Sequence, residues 1–321
     1  MIDDTLGSIC TYTLQDIIGF GGSSKVFSAT DENMNKFAIK AIRKDKGYEA
    51  SVESMMVLRE YLVMEHIGEH PNICKHFSCN PEGTLQHEGE LQTISYNVME
   101  FCENGSLSTI IKRTGAIEES IARFIFLQMS SAIEFLHSQN FCHLDIKLEN
   151  TLLDEFFNAK LADFGSGVSL LKTAGQTNHK VGTPLYMAPE VKDLSPNDTF
   201  DGLKADIYSL GVTLCIMLLG EFPKQFTKEN TSSTIGSSDV TDDEIMSCAD
   251  EEDQYIQENY LSSECNELLT WMLQADPLKR PCIQEILSHP WISQASYEGM
   301  ESEVYSEMKA RIDSITNKRC S

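Results

Sequence analysis

Positive charge is scarce in this 321-residue chain: 25 lysines and arginines stand against 49 aspartates and glutamates, for a formal net charge of −24. Nucleic acid and anionic membrane both demand clustered lysine and arginine, so neither is expected as a partner. A basic protein substrate fits the charge, and so does an acidic surface that merely keeps the protein in solution. Long apolar runs are also missing. The longest, residues 207–219, includes Tyr208, Ser209 and Thr213 and falls short of the roughly 20 residues that cross a bilayer, so it predicts a buried helix. The opening residues Met1-Ile2-Asp3-Asp4 carry neither a basic, apolar leader nor the glycine that myristoylation requires. Ten cysteines are present but no CxxC pair, which argues for reduced thiols and a cytoplasmic protein, with the nucleus compatible.

What is present has the profile of a folded chain: hydrophobic residues make up 41% and charged residues 23%. Short strand-like runs at 12–18, 25–29 and 37–42 predict an antiparallel sheet. Over 51–67, Met55, Leu58, Leu62 and Ile67 recur at helical spacing and predict one helix crossing that sheet. Two further strands are expected at 73–78 and 93–99, joined by a polar loop. After Glu103-Asn104-Gly105-Ser106 the pattern turns helical, led by 117–136 with Ile121, Ile125, Met129, Ile133 and Leu136 in one stripe. The organisation expected is an extension (1–11), a small lobe (12–101), a large lobe (102–292) with an acidic surface insertion at about 224–259, and a tail (293–321). In that tail Met300, Val304, Met308, Ile312 and Ile315 form a helical stripe. Its four cations, Lys309, Arg311, Lys318 and Arg319, favour a packing helix over a regulatory partner's docking site, although the latter stays open.

The chemistry-bearing string is His143-Leu144-Asp145-Ile146-Lys147-Leu148-Glu149-Asn150, which sets an acid, a cation and an amide at fixed spacing. It resembles the catalytic loop of eukaryotic-type serine/threonine protein kinases. That family's fold is α+β and two-lobed, with a small antiparallel-sheet N-lobe carrying one helix and a larger, mainly helical C-lobe. The resemblance implies that Asp145 receives or aligns the substrate hydroxyl proton, Lys147 contacts the transferring phosphate, and Asn150 binds magnesium. Asp163-Phe164-Gly165 follows a strand-like run and implies a second magnesium ligand in Asp163, with Phe164 packed under the helix that bears Glu60. Lys40, in Phe37-Ala38-Ile39-Lys40, would hold the ATP phosphates and pair with Glu60; Glu65 is the rival acid. Glu60 is preferred because Met64, one turn on, then lies on the same inward face.

Ile18-Gly19-Phe20-Gly21-Gly22-Ser23-Ser24-Lys25-Val26 is similar to the family's glycine-rich phosphate loop, with Ser24 in place of its third glycine. Ala38, Val26 and Leu152 match the apolar contacts to the purine, Met99 the residue guarding the pocket, and Glu100 and Cys102 the hinge whose backbone meets the adenine edge. The cofactors implied are ATP and Mg2+, and the partners are proteins with serine or threonine acceptors. Residues 182–190 resemble the substrate-facing loop of serine/threonine kinases. Arg280 is expected to pair with Glu190, and Asp206 to brace the catalytic loop, as scaffold. The closing string 286–291 looks like that of the calcium/calmodulin-dependent group.

Three departures stand out. Leu144 replaces the arginine that usually holds a phosphorylated activation loop, so phosphorylation of Thr173 or Thr177 is not expected to be the main switch. Ser106 stands where many basic-directed relatives carry an acid, with Glu103 and Glu149 nearby. Tyr208 occupies a frequent tryptophan position. The alternatives are a pseudokinase scaffold that binds nucleotide without transfer, and a small-molecule kinase. The first leaves four costly polar groups unexplained, and the second leaves 182–190 and 276–281 without a use.

Overall fold

The computed structural model describes residues 7–21, 24–43, 50–87, 90–173, 175–223 and 261–317. The insertion expected at 224–259 lies outside them, as do Gly22 and Ser23. Contacts divide the chain into two compact units, Met1–Ser106 with Asn150–Gly167, and Leu107–Glu149 with Val168–Ser321. The boundary drawn in the sequence at 101/102 follows the chain, whereas the units follow contacts, so 150–167 groups with the sheet.

The first unit is built on β1 (Gly7–Ile9), β2 (Tyr12–Phe20), β3 (Ser24–Thr30), β4 (Lys36–Arg43), α1 (Ala50–Ile67), β5 (His76–His87) and β6 (Glu90–Glu100). The expected loop after residue 78 is instead strand: β5 and β6 pair through to His87 opposite Glu90, with irregular register between Asn80 and Gly83. The sheet closes into a barrel in the order β1-β2-β3-β4-β6-β5, because β1 pairs with both β2 and β5. Alternation along the strands sends Leu14, Phe27, Ala29, Ile39, Ala41, Ile94, Tyr96 and Val98 into the barrel, joined by Ile9 and Leu85. The opposite face of the same strands carries Val26, Lys40 and Asn97 as cross-strand neighbours.

On α1 the inward face is the one that carries Glu60 and Met64. Met55, Leu58 and Leu62 are exposed, and the buried face is Val57, Glu60, Met64 and Ile67. Both sets obey helical spacing, and the second includes the acid read as the partner of Lys40.

The second unit opens with α2 (Leu107–Thr114), α3 (Glu119–Ser138) and β7 (Phe141–Cys142); β8 (Thr151–Leu153) and β9 (Ala159–Leu161) form a hairpin in the first unit. There follow, in the second unit, β10 (Val168–Ser169), β11 (Gln176–Thr177), α4 (Pro189–Lys192), β12 (Phe200–Asp201), α5 (Gly202–Leu219), α6 (Ser263–Met272), α7 (Ile283–Ser288), α8 (Pro290–Ser293) and α9 (Met300–Asn317). Apolar on every side, α5 is the one helix among the described residues long and apolar enough to cross a membrane, and 83% of it is buried in the protein, as a core helix requires. Its first turn is capped by Asp201, whose carboxylate accepts from the Leu203 and Lys204 N–H groups, and it ends at Gly220 with φ +73°. The tail stripe buries Met300, Val304 and Met308, and α9 packs on α2 and α3. Arg311 fastens it by donating to Thr114 Oγ1, Gly115 O and Ala116 O.

Candidate active site

In the first unit one ammonium gathers two carboxylates. Lys40 Nζ lies 3.2 and 3.1 Å from the Glu60 oxygens and 2.8 Å from Asp163 Oδ1. β4 delivers Lys40 from the sheet and the buried face of α1 delivers Glu60, while Glu65 is exposed and accepts from Tyr61 OH. Burial alone lowers the Lys40 pKa, but the negative charges of Glu60 and then Asp163 outweigh it and raise the pKa above its ordinary value. Burial pushes the Glu60 carboxyl up, with Asp163 adding to the rise against the pull of Lys40. Asn97, wholly buried on β6, donates to Glu60 Oε2 and to the Val57 carbonyl, both at 3.3 Å. Nothing in the strand-like pattern around it signals this support, except that an amide interrupts an apolar run.

Asp163 takes a left-handed backbone (φ +63°) and leads into a 3-10 turn over Phe164–Ser166 that contacts α1 and buries Phe164. Arg59 of α1 donates to the Gly167 carbonyl at 3.0 Å, a second tie between that helix and the Asp163 loop. The Asn150 carbonyl accepts from Ala162 N–H at 2.9 Å, which sets Asn150 beside the strand end carrying Asp163. A carboxylate and an amide oxygen form the oxygen donor set that magnesium prefers.

Ile18, Gly19 and Phe20 end β2, and Ser24, Lys25 and Val26 begin β3; Ile18 and Phe20 are exposed. Gly21 N–H donates to Ser24 O at 2.8 Å, and a Cβ on Gly21 would come within 2.5 Å of Ser24 Oγ, so a side chain at 21 would have to displace the Ser24 hydroxyl. Behind it, Ala38, Cys74 and Met99 cluster with Val26, Phe101 and Ala162. Leu152 bridges to Ser106, and Glu100 is fixed by Lys160 at 2.7 Å and by Lys75 N–H at 3.0 Å. The Cys102 carbonyl accepts from Gly105 N–H at 3.1 Å. A glycine cradle, an apolar floor, an ammonium and an oxygen pair together fit a magnesium-bound nucleotide.

The second unit holds Asp145 and Lys147. Asp145 Oδ1 accepts from Thr183 N–H at 3.0 Å and from Thr183 Oγ1 at 2.8 Å, and Oδ2 lies 2.9 Å from Lys147 Nζ. Lys147 in turn donates to Thr183 Oγ1 at 2.7 Å. Sequence reasoning assigned Thr183 to the substrate-facing loop without seeing this role. A Cβ on Gly182 would meet the Leu144 carbonyl at 2.3 Å, and its φ of +110° suits glycine alone, so residue 182 is bound to the catalytic loop by contact.

Asp206 braces that loop as expected, accepting the His143 and Leu144 N–H groups at 2.8 Å each and meeting His137 Nε2 at 3.1 Å. Arg280 forms a bidentate fork on Glu190, 2.7 Å on each arm, while lying over the Tyr208 ring at 4.8 Å. Glu149 accepts from Ser108 at 2.7 Å and from Lys112 and Tyr186, both at 3.3 Å. Thr177 lies buried in the β11–β12 pairing, and its hydroxyl accepts from His179 N–H at 3.1 Å.

A family model, the protein kinase domain, matches residues 12–292. The chain is 31% identical over 313 residues to CBL-interacting serine/threonine-protein kinase 7 of Arabidopsis thaliana, covering 95% of this chain and 66% of that protein. It is 34% identical over 267 residues to serine/threonine-protein kinase SRK2A of Physcomitrium patens, covering 81% and 72%. With serine/threonine-protein kinase chk1 of Schizosaccharomyces pombe it shares 30% over 285 residues, 87% of this chain and 53% of the relative. The chain thus spans just under two thirds of the first of these relatives and about half of the third. By the extent of the model and of these alignments, the chain belongs to the protein kinase family, in its eukaryotic serine/threonine-directed branch.

Proposed function

We propose that the protein transfers the γ-phosphoryl group of ATP to serine or threonine hydroxyls of protein substrates. The observation that carries this reading is the buried Lys40 ammonium shared by Glu60 and the half-exposed Asp163, a cation beside surplus negative charge, which together suit a phosphate carried with its metal ion. Magnesium-bound ATP, when present, supplies the phosphoryl group and neutralises charge on it. Asn150 and Asp163 would hold the metal, and Lys40 would hold the phosphates with Glu60 fixing its direction. Val26, Ala38, Met99 and Leu152 would enclose the purine, and the backbone at Glu100 and Cys102 would meet its edge.

Asp145, oriented by Thr183, takes the acceptor hydroxyl's proton, and Lys147 stabilises charge on the moving phosphoryl group. Replacing Asp145 by asparagine should lower labelled-phosphate transfer to a generic basic protein about 10²–10⁴-fold. Binding of magnesium–ATP should persist. Equal transfer by wild type and Asp145→Asn, or nucleotide binding by wild type with no transfer at all, would sink the proposal and favour a scaffold.

The likeness to the calcium/calmodulin-dependent group, a cytoplasmic or nuclear setting, and a partner at the tail are part of the same reading. The described thiols, eight of them free, support the setting. The inward stripe of α9 is taken up by α2 and α3, so a regulatory partner would engage its outer, polar side.

A further inference from the structure

Along β6 the side chains of Ile94, Tyr96 and Val98 enter the barrel, so Ser95 and Asn97, both wholly buried, belong to the opposite side. α1 meets that side with polar groups. Ser54 Oγ lies 3.2 Å from Ser95 Oγ, and the Pro81 carbonyl lies 3.1 Å from the first hydroxyl and 2.9 Å from the second. Two residues along the strand, Asn97 Nδ2 donates to the Val57 carbonyl and to Glu60 Oε2, both at 3.3 Å. Lys40 is the cross-strand partner of Asn97 on β4, and its Nζ lies 3.1 Å from the same Glu60 oxygen.

We infer that Asn97 is a positioning residue for phosphoryl transfer: its amide aims the Glu60 carboxylate at Lys40 and so fixes where the ammonium meets the phosphates. The part played by Lys40 rests on the kinase reading above.

The two protons on Nδ2 match the two acceptors, so the donor side of the amide is fully used. Turning the amide over would set Oδ1 against a carboxylate oxygen and a carbonyl oxygen, and the three would repel. The orientation is therefore fixed, and it leaves Oδ1 without a hydrogen-bond partner among the described residues. An unpaired acceptor in a core is destabilising, and a leucine of the same branched shape would avoid it while filling the strand. Packing thus gives no reason for an asparagine. The carboxylate gives one. An ammonium is a point charge with rotatable donors, so Lys40 sets the distance to Glu60 but leaves the carboxylate free to swing about it. Asp163 draws the same ammonium from 2.8 Å, and a Glu60 that swung away would lose the cation to it. An amide anchored on the Val57 carbonyl, one turn before Glu60, stops that swing.

The test compares the whole chain with Asn97→Leu, with and without Glu60→Gln, by labelled-phosphate transfer over a range of magnesium–ATP concentrations. With Glu60 intact, Asn97→Leu should lower kcat about tenfold or more, as a misaimed reacting group does. KM for magnesium–ATP should change less than about threefold, because the apolar floor binds the purine without Asn97. With Glu60→Gln already present, the same replacement should alter kcat less than about twofold. A packing role would give equal losses in both. A second readout needs no turnover. In the ligand-free chain with nitrogen-15 asparagine, the side-chain amide signal that disappears in Asn97→Leu should move on Glu60→Gln. The inference is overturned by equal losses with and without Glu60, by an undiminished kcat, by a loss carried in KM instead of kcat, or by an amide signal indifferent to Glu60→Gln. Should Asn97→Leu fail to fold, Asn97→Ser, too short to reach the carboxylate, takes its place. A wild-type chain that binds magnesium–ATP but transfers nothing counts against the kinase reading, while the amide signal still decides whether Asn97 holds Glu60.

Discussion

His76 is 8% exposed, and neither ring nitrogen has a hydrogen-bond partner among the described residues. Burial, helped by the nearby Lys40 charge, lowers its pKa to about 4 from an ordinary value near 6.5. The imidazole is therefore neutral at pH 7, and folding favours that neutral form. Its folded pKa lies below its unfolded one, so the stability tied to it is complete above pH 6.5 and is lost as pH falls toward 4. Replacing His76 by leucine removes two unsatisfied polar atoms at similar volume and should stabilise the protein by about 1–3 kcal/mol at pH 7. Urea titrations at several pH values would check this. The variant should also lose less stability than wild type between pH 6.5 and 4; equal slopes would show that His76 finds water in solution.

Thr177 makes a second case at the same scale. Its hydroxyl is engaged in a turn and its strand is paired with β12, so the segment is ordered without phosphate. Thr177→Ala should retain activity within about threefold, a loss under 1 kcal/mol, as for one neutral hydrogen bond. Loss of transfer in a folded variant would restore phosphorylation as the switch.

At the scale of elements, one carboxylate ties three helices. Glu119, in the first turn of α3, accepts from Ser262 N–H at 2.8 Å and Oγ at 2.6 Å, from Trp291 Nε1 at 2.7 Å on α8, and from Arg123 at 3.0 Å. Ser262 itself caps α6 by accepting from Cys265 N–H. Burial opposes ionisation of Glu119, but these donors overcome it and depress the pKa. Such an acid stabilises the fold above its ordinary range, and the contribution is lost as pH falls below about 4. Glu119→Gln should cost about 1–3 kcal/mol at pH 7 and progressively less toward pH 3, measured by thermal or urea unfolding.

The legibility of the elements follows the range of the interactions that make them. Asp145, Lys147 and Asn150 sit within one short string, so spacing alone announced their chemistry. Thr183 reaches Asp145 from 38 residues away, and no local pattern marks that contact. On α1 the spacing of Met55, Leu58 and Leu62 announces the helix but not its inward side, and these three are exposed. Glu60, read as the partner of Lys40, supplies that direction, since the face carrying Glu60 and Met64 must turn toward the sheet. The β5–β6 hairpin ran longer than expected because its polar residues lie on a paired ladder whose outer side tolerates them.

At the scale of the whole molecule, the net charge of −24 makes association with basic proteins sensitive to salt, and the two compact units give it separate sheet-rich and helical cores. The first core has a property its strand count alone would not give. Ser8 and Ile9 pair with Gln86 and Leu85 on one side and with Thr13 and Tyr12 on the other. Deleting residues 1–10 would undo both seams and bare the N–H and C=O rows of β2 and β5. Light scattering should then show concentration-dependent self-association where the intact chain remains monodisperse; an unchanged mass would mean that other segments shield those rows. Three residues near the start thus act as a stopper: while they stay seated, no second molecule can extend this sheet, and a chain nicked ahead of residue 12 would become adhesive long before it unfolded.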